Sequence, residues 1–175
     1  WLSTWVIISG KSIITAEYWR AHNMSGQAFR KMKGEYSIDT DPDLIDRELV
    51  HHYLSNESYW AKGVPFEIVS RSIDHSLCFG LYHGSRQIGF ARMVTDRATF
   101  TYLADVFILE EERGKGLSKW MMQEIDTHPD LQGLRRWMLG TRDAHGLYEQ
   151  FGWTVIPEEQ RPRFMQRHFP EVYMG

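Results

Sequence analysis

The chain has 175 residues, of which 42% are hydrophobic and 25% are charged, with a formal net charge of −3. This length and composition suit one domain with a sizeable core and exclude a low-complexity disordered chain. The near-neutral balance argues against a dedicated nucleic-acid binder, whose binding face is strongly basic. The single cysteine, Cys78, excludes an intramolecular disulfide framework and a cysteine-rich zinc site, and it favours a reducing compartment.

The apolar runs of the chain are short. The most apolar early run covers residues 5–8, and Ser9, Gly10 and Lys11 interrupt it. A membrane-spanning helix needs about 20 consecutive apolar residues, and a signal peptide needs a basic start and a longer apolar run. The sequence therefore predicts a cytoplasmic protein without a membrane partner.

The first 35 residues differ from the rest in charge. They hold five basic and two acidic residues, a net charge of +3, which leaves −6 for residues 36–175 of a chain whose total is −3. We predict that residues 1–35 are an N-terminal extension and that residues 36–175 form one domain, with Met32 near the domain start. A helix over residues 16–29 that packs on the domain is the alternative.

The first part of the domain has the pattern of a strand followed by two helices. Asp41 can cap a helix whose first residue is Pro42, and apolar residues recur at helical spacing as far as Tyr53. The predicted bounds are residues 36–38 for the strand, 42–53 for the first helix, 55–65 for a loop that carries Tyr59 and Trp60, and 66–73 for the second helix.

The second part begins with three strands separated by the turn pairs Gly84-Ser85 and Asp96-Arg97, which predicts an antiparallel meander. This order indicates a mixed α/β (α+β) domain in which a meander is followed by βα units with crossover connections. The predicted bounds are strands 77–83, 87–94 and 100–108, helix 115–126, strand 134–140, helix 143–150, and strands 153–155 and 163–168.

Residues 108–117 form the most informative segment. A hydrophobic strand ends there, and glycines alternate with basic residues just before a helix begins. Gly114 and Gly116 permit positive φ and close approach of a ligand, while Arg113 and Lys115 add positive charge. The first N–H groups of the next helix are free to bind an anion, which suits a phosphate or pyrophosphate. Judged by the loop alone, a solvated turn with ordinary charges is the alternative.

Two motifs in this order carry a family resemblance. Arg113-Gly114-Lys115-Gly116-Leu117-Ser118 resembles the Arg/Gln-x-x-Gly-x-Gly/Ala signature of the GNAT superfamily of N-acetyltransferases. Downstream, Ala144-His145-Gly146-Leu147-Tyr148 with Gly152-Trp153 resembles the Ala-x-x-Leu-Tyr-x-x-x-Gly-Phe segment of that family. The resemblance covers roughly residues 36–169. Ser118 departs from the signature's Gly or Ala, and Thr141 stands where many members carry an Asn that contacts the cofactor arm.

The resemblance implies a GNAT-like acyl-CoA N-acyltransferase fold and an acetyltransferase that uses acetyl-CoA as co-substrate and no metal. In this family the acceptor attacks the thioester directly in a ternary complex, so Cys78 need not be a nucleophile. The family's cofactor contacts carry over to strand backbone at Val106, Phe107, Ile108 and Leu109, to the segment Arg113, Gly114, Lys115, Gly116, Leu117 and Ser118, and to Thr141.

The same resemblance makes Tyr148 the acid that protonates the departing thiolate. The resemblance does not identify the general base that removes the proton from the amine. Asp105 is an acidic residue inside an apolar strand, where burial is costly unless the group is paired or functional. The alternatives for Asp105 are a charge on the solvent side of the strand and a structural ion pair. Glu110 and a water relay are its rivals as the base.

The acceptor implied by the resemblance is a primary amine on a small molecule or a peptide. The aromatic residues that could wall its site are Tyr59, Trp60, Phe66, Phe79 or Tyr82, and Tyr102. No nucleic-acid partner is expected. Aromatic residues near the C terminus (Trp153, Phe164, Phe169 and Tyr173) leave a homodimer open.

Two other functions compete with this interpretation. The first is a catalytically silent acyl-CoA-binding module of the same fold, against which the retained Tyr148 argues. The second is a phosphate- or nucleotide-binding protein, against which the lack of a complete Walker or dinucleotide fingerprint argues.

Overall fold

The computed structural model describes residues 29–173, which contain one six-stranded sheet. The strands follow chain order across the sheet, antiparallel from β1 to β5 and parallel between β5 and β6. Their bounds are β1 Arg30–Lys33, β2 Tyr36–Asp39, β3 Leu77–His83, β4 Arg86–Thr95, β5 Phe100–Ile108 and β6 Arg136–Leu139. The meander predicted from the sequence is confirmed, as is the crossover that follows it.

The helices cover both faces of this sheet. They are α1 Arg47–His52, α2 Phe66–Asp74, α3 Leu117–Asp126 and α4 His145–Tyr148. Because side chains alternate along a strand, Phe79 of β3 joins the core cluster that includes α3, while Cys78 joins the cluster under α1 and α2. Phe79 and Phe90 are fully buried, one on each face. Burial of such a side chain contributes about 2–3 kcal/mol.

The predicted helix over residues 42–53 is wrong as a single element. Asp41 caps a short 3-10 turn at Pro42–Leu44, after which Ile45 adopts an extended conformation with ψ of 119° and is buried. The helix α1 has its own cap, because the Asp46 carboxylate accepts the Leu49 N–H at 2.9 Å. A π-helical turn, Tyr53–Glu57, continues it. Because Ile45 is buried in an extended conformation, the apolar residues between 42 and 53 do not lie on one continuous helix.

The two strands predicted at 153–155 and 163–168 are also wrong. Trp153 is held by aromatic contacts with Trp137 and Tyr148, both with ring centroids 6.1 Å away, instead of by a strand ladder. A 3-10 turn occupies Arg161–Arg163. The predicted helix over residues 143–150 is α4 followed by a 3-10 turn, and it ends at Gly152, where φ is 78°.

The sheet begins before the predicted domain start. β1 pairs with β2, so the boundary predicted at residue 36 falls inside a hairpin. Phe29 packs its ring against Phe79 and His128, with centroids 6.5 and 4.7 Å away. The alternative helix over residues 16–29 falls almost entirely outside the described residues. None of the helices within residues 29–173 has the length and apolar content needed to cross a membrane.

Candidate active site

The parallel pair of strands separates halfway along β5. The ladder between β5 and β6 runs from Phe100 to Leu103 on β5, and the ladders of residues 29–173 give that edge of β5 no strand partner further along. The register with β4 shifts at the same place: Phe90 pairs with Phe107 and Arg92 with Ala104. Two residues of β5, Asp105 and Val106, therefore oppose one residue of β4, which is a β-bulge. The divergence leaves open backbone at Val106–Ile108.

This open edge forms the floor of a groove of about 470 Å³. Three segments of the chain line it besides β5: the loop between α1 and α2, the glycine loop with the start of α3, and the helix α4. The lining residues that the sequence had predicted as cofactor contacts are Val106, Phe107, Ile108, Arg113, Gly114, Gly116, Leu117 and Ser118.

The glycine loop presents backbone N–H groups to this groove. Gly114 and Gly116 have φ of 77° and 75°, a conformation that glycine adopts without strain. A Cβ at either position would meet nothing within 4 Å, so the space beside the loop is open. Within residues 29–173, no side chain caps the start of α3. The first N–H groups of this helix are therefore free to donate to a ligand, and the positive end of the helix dipole lies at the same place. The arrangement can bind a phosphate or pyrophosphate.

The basic side chains of the loop have partners of their own. Arg113 donates from Nε to the Ile108 carbonyl at 3.0 Å and from Nη2 to the Tyr53 hydroxyl at 3.1 Å, which ties the loop to the end of β5. Lys115 donates to Glu112 at 2.6 Å, and this contact raises the pKa of the lysine and lowers the pKa of the glutamate. Lys115 does not line the groove. Its positive charge instead neutralises the carboxylate of Glu112 beside the loop.

Two other predicted cofactor contacts lie beside the groove. The Leu109 N–H donates to the Ile88 carbonyl at 2.9 Å, so it is not available to a ligand. The Thr141 hydroxyl accepts the Ala144 N–H at 3.1 Å and thereby fixes the start of α4. Thr141 lines the neighbouring cavity instead.

This second cavity, of about 340 Å³, adjoins the groove and shares Tyr59, Trp60, Val106, Asp143 and Ala144 with it. Both predicted catalytic residues, Asp105 and Tyr148, line it. Of the aromatic residues predicted to wall an acceptor site, the structure places Tyr59, Trp60 and Tyr102 here.

The other predicted wall residues have different positions. Phe79 is fully buried, and the Tyr82 hydroxyl donates to the Leu44 carbonyl at 3.0 Å. Phe66 packs edge-on against His51, with ring centroids 5.5 Å apart. Cys78 lies buried under α1 and α2, and burial raises the pKa of its thiol to about 12. It therefore stays a thiol at neutral pH.

Asp105 is bound on both carboxylate oxygens. Arg92 donates to Oδ2 from Nε and Nη2, each at 2.7 Å, and the Trp60 indole donates to Oδ1 at 3.2 Å. The Asp105 side chain is 10% exposed and that of Arg92 17%. The ion pair that the sequence left as an alternative is thus formed. The signal that could have found Arg92 is the one that singled out Asp105: a charge inside an apolar strand.

Tyr148 is buried and faces the second cavity. Burial, followed by the charges of Tyr59 and Asp143, raises the pKa of its hydroxyl to about 12. The phenol is therefore protonated at neutral pH and can act as a proton donor. Among residues 29–173, no group of three or more His, Cys, Asp and Glu side chains is arranged to hold a metal ion.

The loop between α1 and α2 crosses from one side of the site to the other. The Tyr59 hydroxyl accepts the Arg142 N–H at 3.0 Å, and the Arg142 guanidinium lies 3.8 Å from the Tyr59 ring centre. Trp60, in T-shaped contact with Tyr59, reaches Asp105 on β5. These two aromatic residues therefore separate the groove from the second cavity.

Comparison with known proteins agrees with this geometry. Residues 74–155 match the family model described as the acetyltransferase (GNAT) domain. A protein of Gibberella zeae that carries an acetyltransferase name is 36% identical over 138 residues, which cover 66% of this chain and 77% of that protein.

Solved structures give the same family. A Xanthomonas campestris protein belonging to the GNAT family is 48% identical, with a TM-score of 0.77 over 83% of this chain and 100% of that chain. Glucosamine-6-phosphate N-acetyltransferase from Arabidopsis thaliana, at 15% identity and a TM-score of 0.53 over 77% of this chain and 98% of that one, shares the fold. The sequence relatives and the divergent strands beside the glycine loop lead to one conclusion: the chain belongs to the GNAT acetyltransferase family.

Proposed function

We propose that this protein transfers the acetyl group of acetyl-CoA to a primary amine, which attacks the thioester directly. The observation that carries the proposal is the continuity of the site. The open edge of β5 leads from the anion-binding start of α3 to the cavity that holds Tyr148. A long donor with a phosphate-bearing end and a reactive thioester end fits this layout.

The residues present suit acetyl-CoA. The N–H groups of Gly114 to Ser118 provide donors for the pyrophosphate at the helix start, where the dipole favours an anion. The edge of β5 at Val106–Ile108 that faces away from β4 can pair with the amide groups of the pantetheine arm, apart from the Ile108 carbonyl, which already accepts from Arg113. Of the acidic residues that line the groove, Glu112 is balanced by Lys115, so that its charge is not left to repel the phosphates.

Acetyl-CoA supplies an activated acyl carbon and a thiolate leaving group. The chain would supply three functions around it. An N–H on the open edge of β5 donates to the carbonyl oxygen, where negative charge develops during attack. The groove would hold the donor and is therefore the donor groove; the second cavity would hold the amine and is the acceptor cavity. Together they align the two substrates on either side of Tyr59 and Trp60. Tyr148, a buried phenol that is protonated at neutral pH and lines the cavity, donates its proton to the sulfur as the carbon–sulfur bond breaks.

The amine must lose a proton before it attacks, since an alkylammonium has a pKa near 10 in water. Trp60 and Arg92 already donate to both oxygens of Asp105. We propose that the proton leaves through water in the acceptor cavity, whose rim residues Tyr59 and Trp60 are 45% and 42% exposed.

A thiol-release assay across a panel of amines, with wild type and Tyr148→Phe, tests this function. Loss of a positioned acid lowers rates by about 10²–10⁴-fold, so we expect kcat to fall at least 100-fold while the affinity for acetyl-CoA is kept. Unchanged turnover in Tyr148→Phe would refute the acid. Acetyl-CoA binding by the wild type with no thiol released from any amine would instead support a silent acyl-CoA-binding module.

A further inference from the structure

Asp105 has an unusual backbone conformation for a residue within a strand. Its φ is 56°, and Arg97 is the only other non-glycine residue with positive φ within residues 29–173. Most side chains avoid this region because Cβ approaches the carbonyl oxygen, whereas Asp and Asn tolerate it better than others. The bulge therefore favours a short polar side chain at this position independently of any proton transfer.

The Asp105 carboxylate also joins three separate parts of the molecule. It lies on β5, receives two N–H donors from Arg92 on β4, and receives the indole N–H of Trp60 from the loop between α1 and α2. Arg92 is anchored in turn, because its Nη1 donates to the Ser76 hydroxyl at 3.2 Å. Charge-assisted contacts of this kind are stronger than neutral ones and hold a fixed geometry.

The contacts of Asp105 with Arg92 and Trp60 fix part of the wall of the donor groove. Val106, the second bulge residue, begins the open edge, and Trp60 lines both the groove and the acceptor cavity. A bulge re-aims the backbone that follows it. If Asp105 lost its partners, the direction of Val106–Ile108 and the position of Trp60 would both relax.

We infer that Asp105 is a positioning residue, whose carboxylate locks the β5 bulge and Trp60 into the shape that binds acetyl-CoA, and that it is not the general base. This inference rests on the proposed acetyl-CoA function. It assigns to Arg92 and Asp105 together a role in donor binding, and it leaves deprotonation of the amine to water.

Asp105→Asn and Asp105→Glu separate the two roles. Asn tolerates positive φ and its one carbonyl oxygen can still accept from Arg92, but its NH2 group cannot accept from Trp60 and the side chain cannot take up the proton. Glu keeps a carboxylate but is longer and poorly suited to this φ. We expect Asn to retain more activity than Glu. The expected loss of kcat/KM is about 20-fold for Asn, mostly through KM for acetyl-CoA and with the pH profile unchanged, and at least 100-fold for Glu.

Affinity for acetyl-CoA, measured by calorimetry, gives a second readout. Asp105→Ala should weaken binding at least tenfold, and Arg92→Gln should weaken it similarly. Asp74→Asn, which removes the exposed carboxylate of Asp74 on α2 that pairs with Arg47 on α1, should leave it unchanged. The inference is overturned if Asn loses 100-fold in kcat at wild-type affinity while Glu keeps more activity than Asn. If the wild type binds no acetyl-CoA, the proposed function fails and this inference fails with it.

Discussion

The donor groove and the acceptor cavity lie side by side but are built from different parts of the chain. The contacts proposed for the donor in the groove are backbone groups on the open edge of β5 and the N–H groups between Gly114 and Ser118, although side chains such as Glu57 and Leu147 also line it. The cavity is made of side chains that come together from distant segments, such as Tyr59 with Arg142 and Trp60 with Asp105. A backbone site depends on local conformation and a side-chain site on tertiary pairing, so substitutions should affect them differently.

The largest effect is expected at the backbone site. In Gly116→Glu, a side chain with negative charge would stand where the phosphates bind, at a φ of 75° that Glu adopts only with strain. We expect acetyl-CoA affinity to fall roughly a thousandfold, equivalent to about 4 kcal/mol. Calorimetry measures this loss.

Gly133→Glu is the matched control for that variant. Gly133 has the same φ of 75° and an equally open environment, but it lies outside the groove. It should lose a similar amount of folding stability and keep its affinity. Equal loss of binding in both variants would show that backbone strain, not the loop, explains the result.

A third region, the core around His128, should make the folding stability depend on acid while the geometry of the site stays the same. His128 is buried against Phe29 and Phe79, and its Nδ1 accepts the Asp130 N–H. Burial lowers the pKa of His128 to about 4, below the value near 6.5 of the unfolded chain. Between these values the unfolded chain binds more protons, so the free energy of unfolding should fall by about 3 kcal/mol as the pH drops from 6.5 to 4.

Denaturant unfolding at several pH values tests this contribution. His128→Asn keeps an acceptor for the Asp130 N–H but does not titrate in this range, so its stability should depend less steeply on pH than that of the wild type. Parallel curves for the two proteins would contradict the assignment to His128.

The smallest effect is expected from the wall that Tyr59 and Trp60 form between the groove and the acceptor cavity. Trp60→Phe keeps an aromatic ring between the two cavities but removes the indole N–H that Asp105 accepts. A hydrogen bond to a charged group contributes about 1.5–3 kcal/mol, part of which water replaces at this half-exposed position, so we expect about a tenfold loss of kcat/KM. Steady-state kinetics with both substrates measures it, and a loss as large as that of Gly116→Glu would show that the wall dominates donor binding.

The same division explains what the sequence could predict. The glycine loop and the start of α3 follow from neighbouring residues, and there the predicted strand, loop and helix agree with the structure. The orientation of the Lys115 side chain cannot be predicted from the loop sequence, because Glu112 binds its ammonium group. Nor does the break at Ile45 follow, because burial of that residue in the core outweighs the helical spacing around it.

The acceptor cavity shows the same limit. Asp105 could be singled out as a charge in an apolar strand, but its positive φ and its contacts with Arg92 and Trp60 arise only when β4, β5 and the loop between α1 and α2 assemble. Thr141 likewise occupies a place in the sequence where a cofactor contact is expected, but in the structure its hydroxyl fixes the start of α4 and the residue lines the acceptor cavity.

The central claim is that the glycine loop and the open edge of β5 bind acetyl-CoA. Calorimetric titration of the wild-type protein with acetyl-CoA, beside ATP and NAD at the same concentrations, tests it most directly. We expect saturable one-to-one binding of acetyl-CoA that is much tighter than that of either nucleotide. No binding of acetyl-CoA by the folded protein, or equal binding of all three ligands, would contradict it.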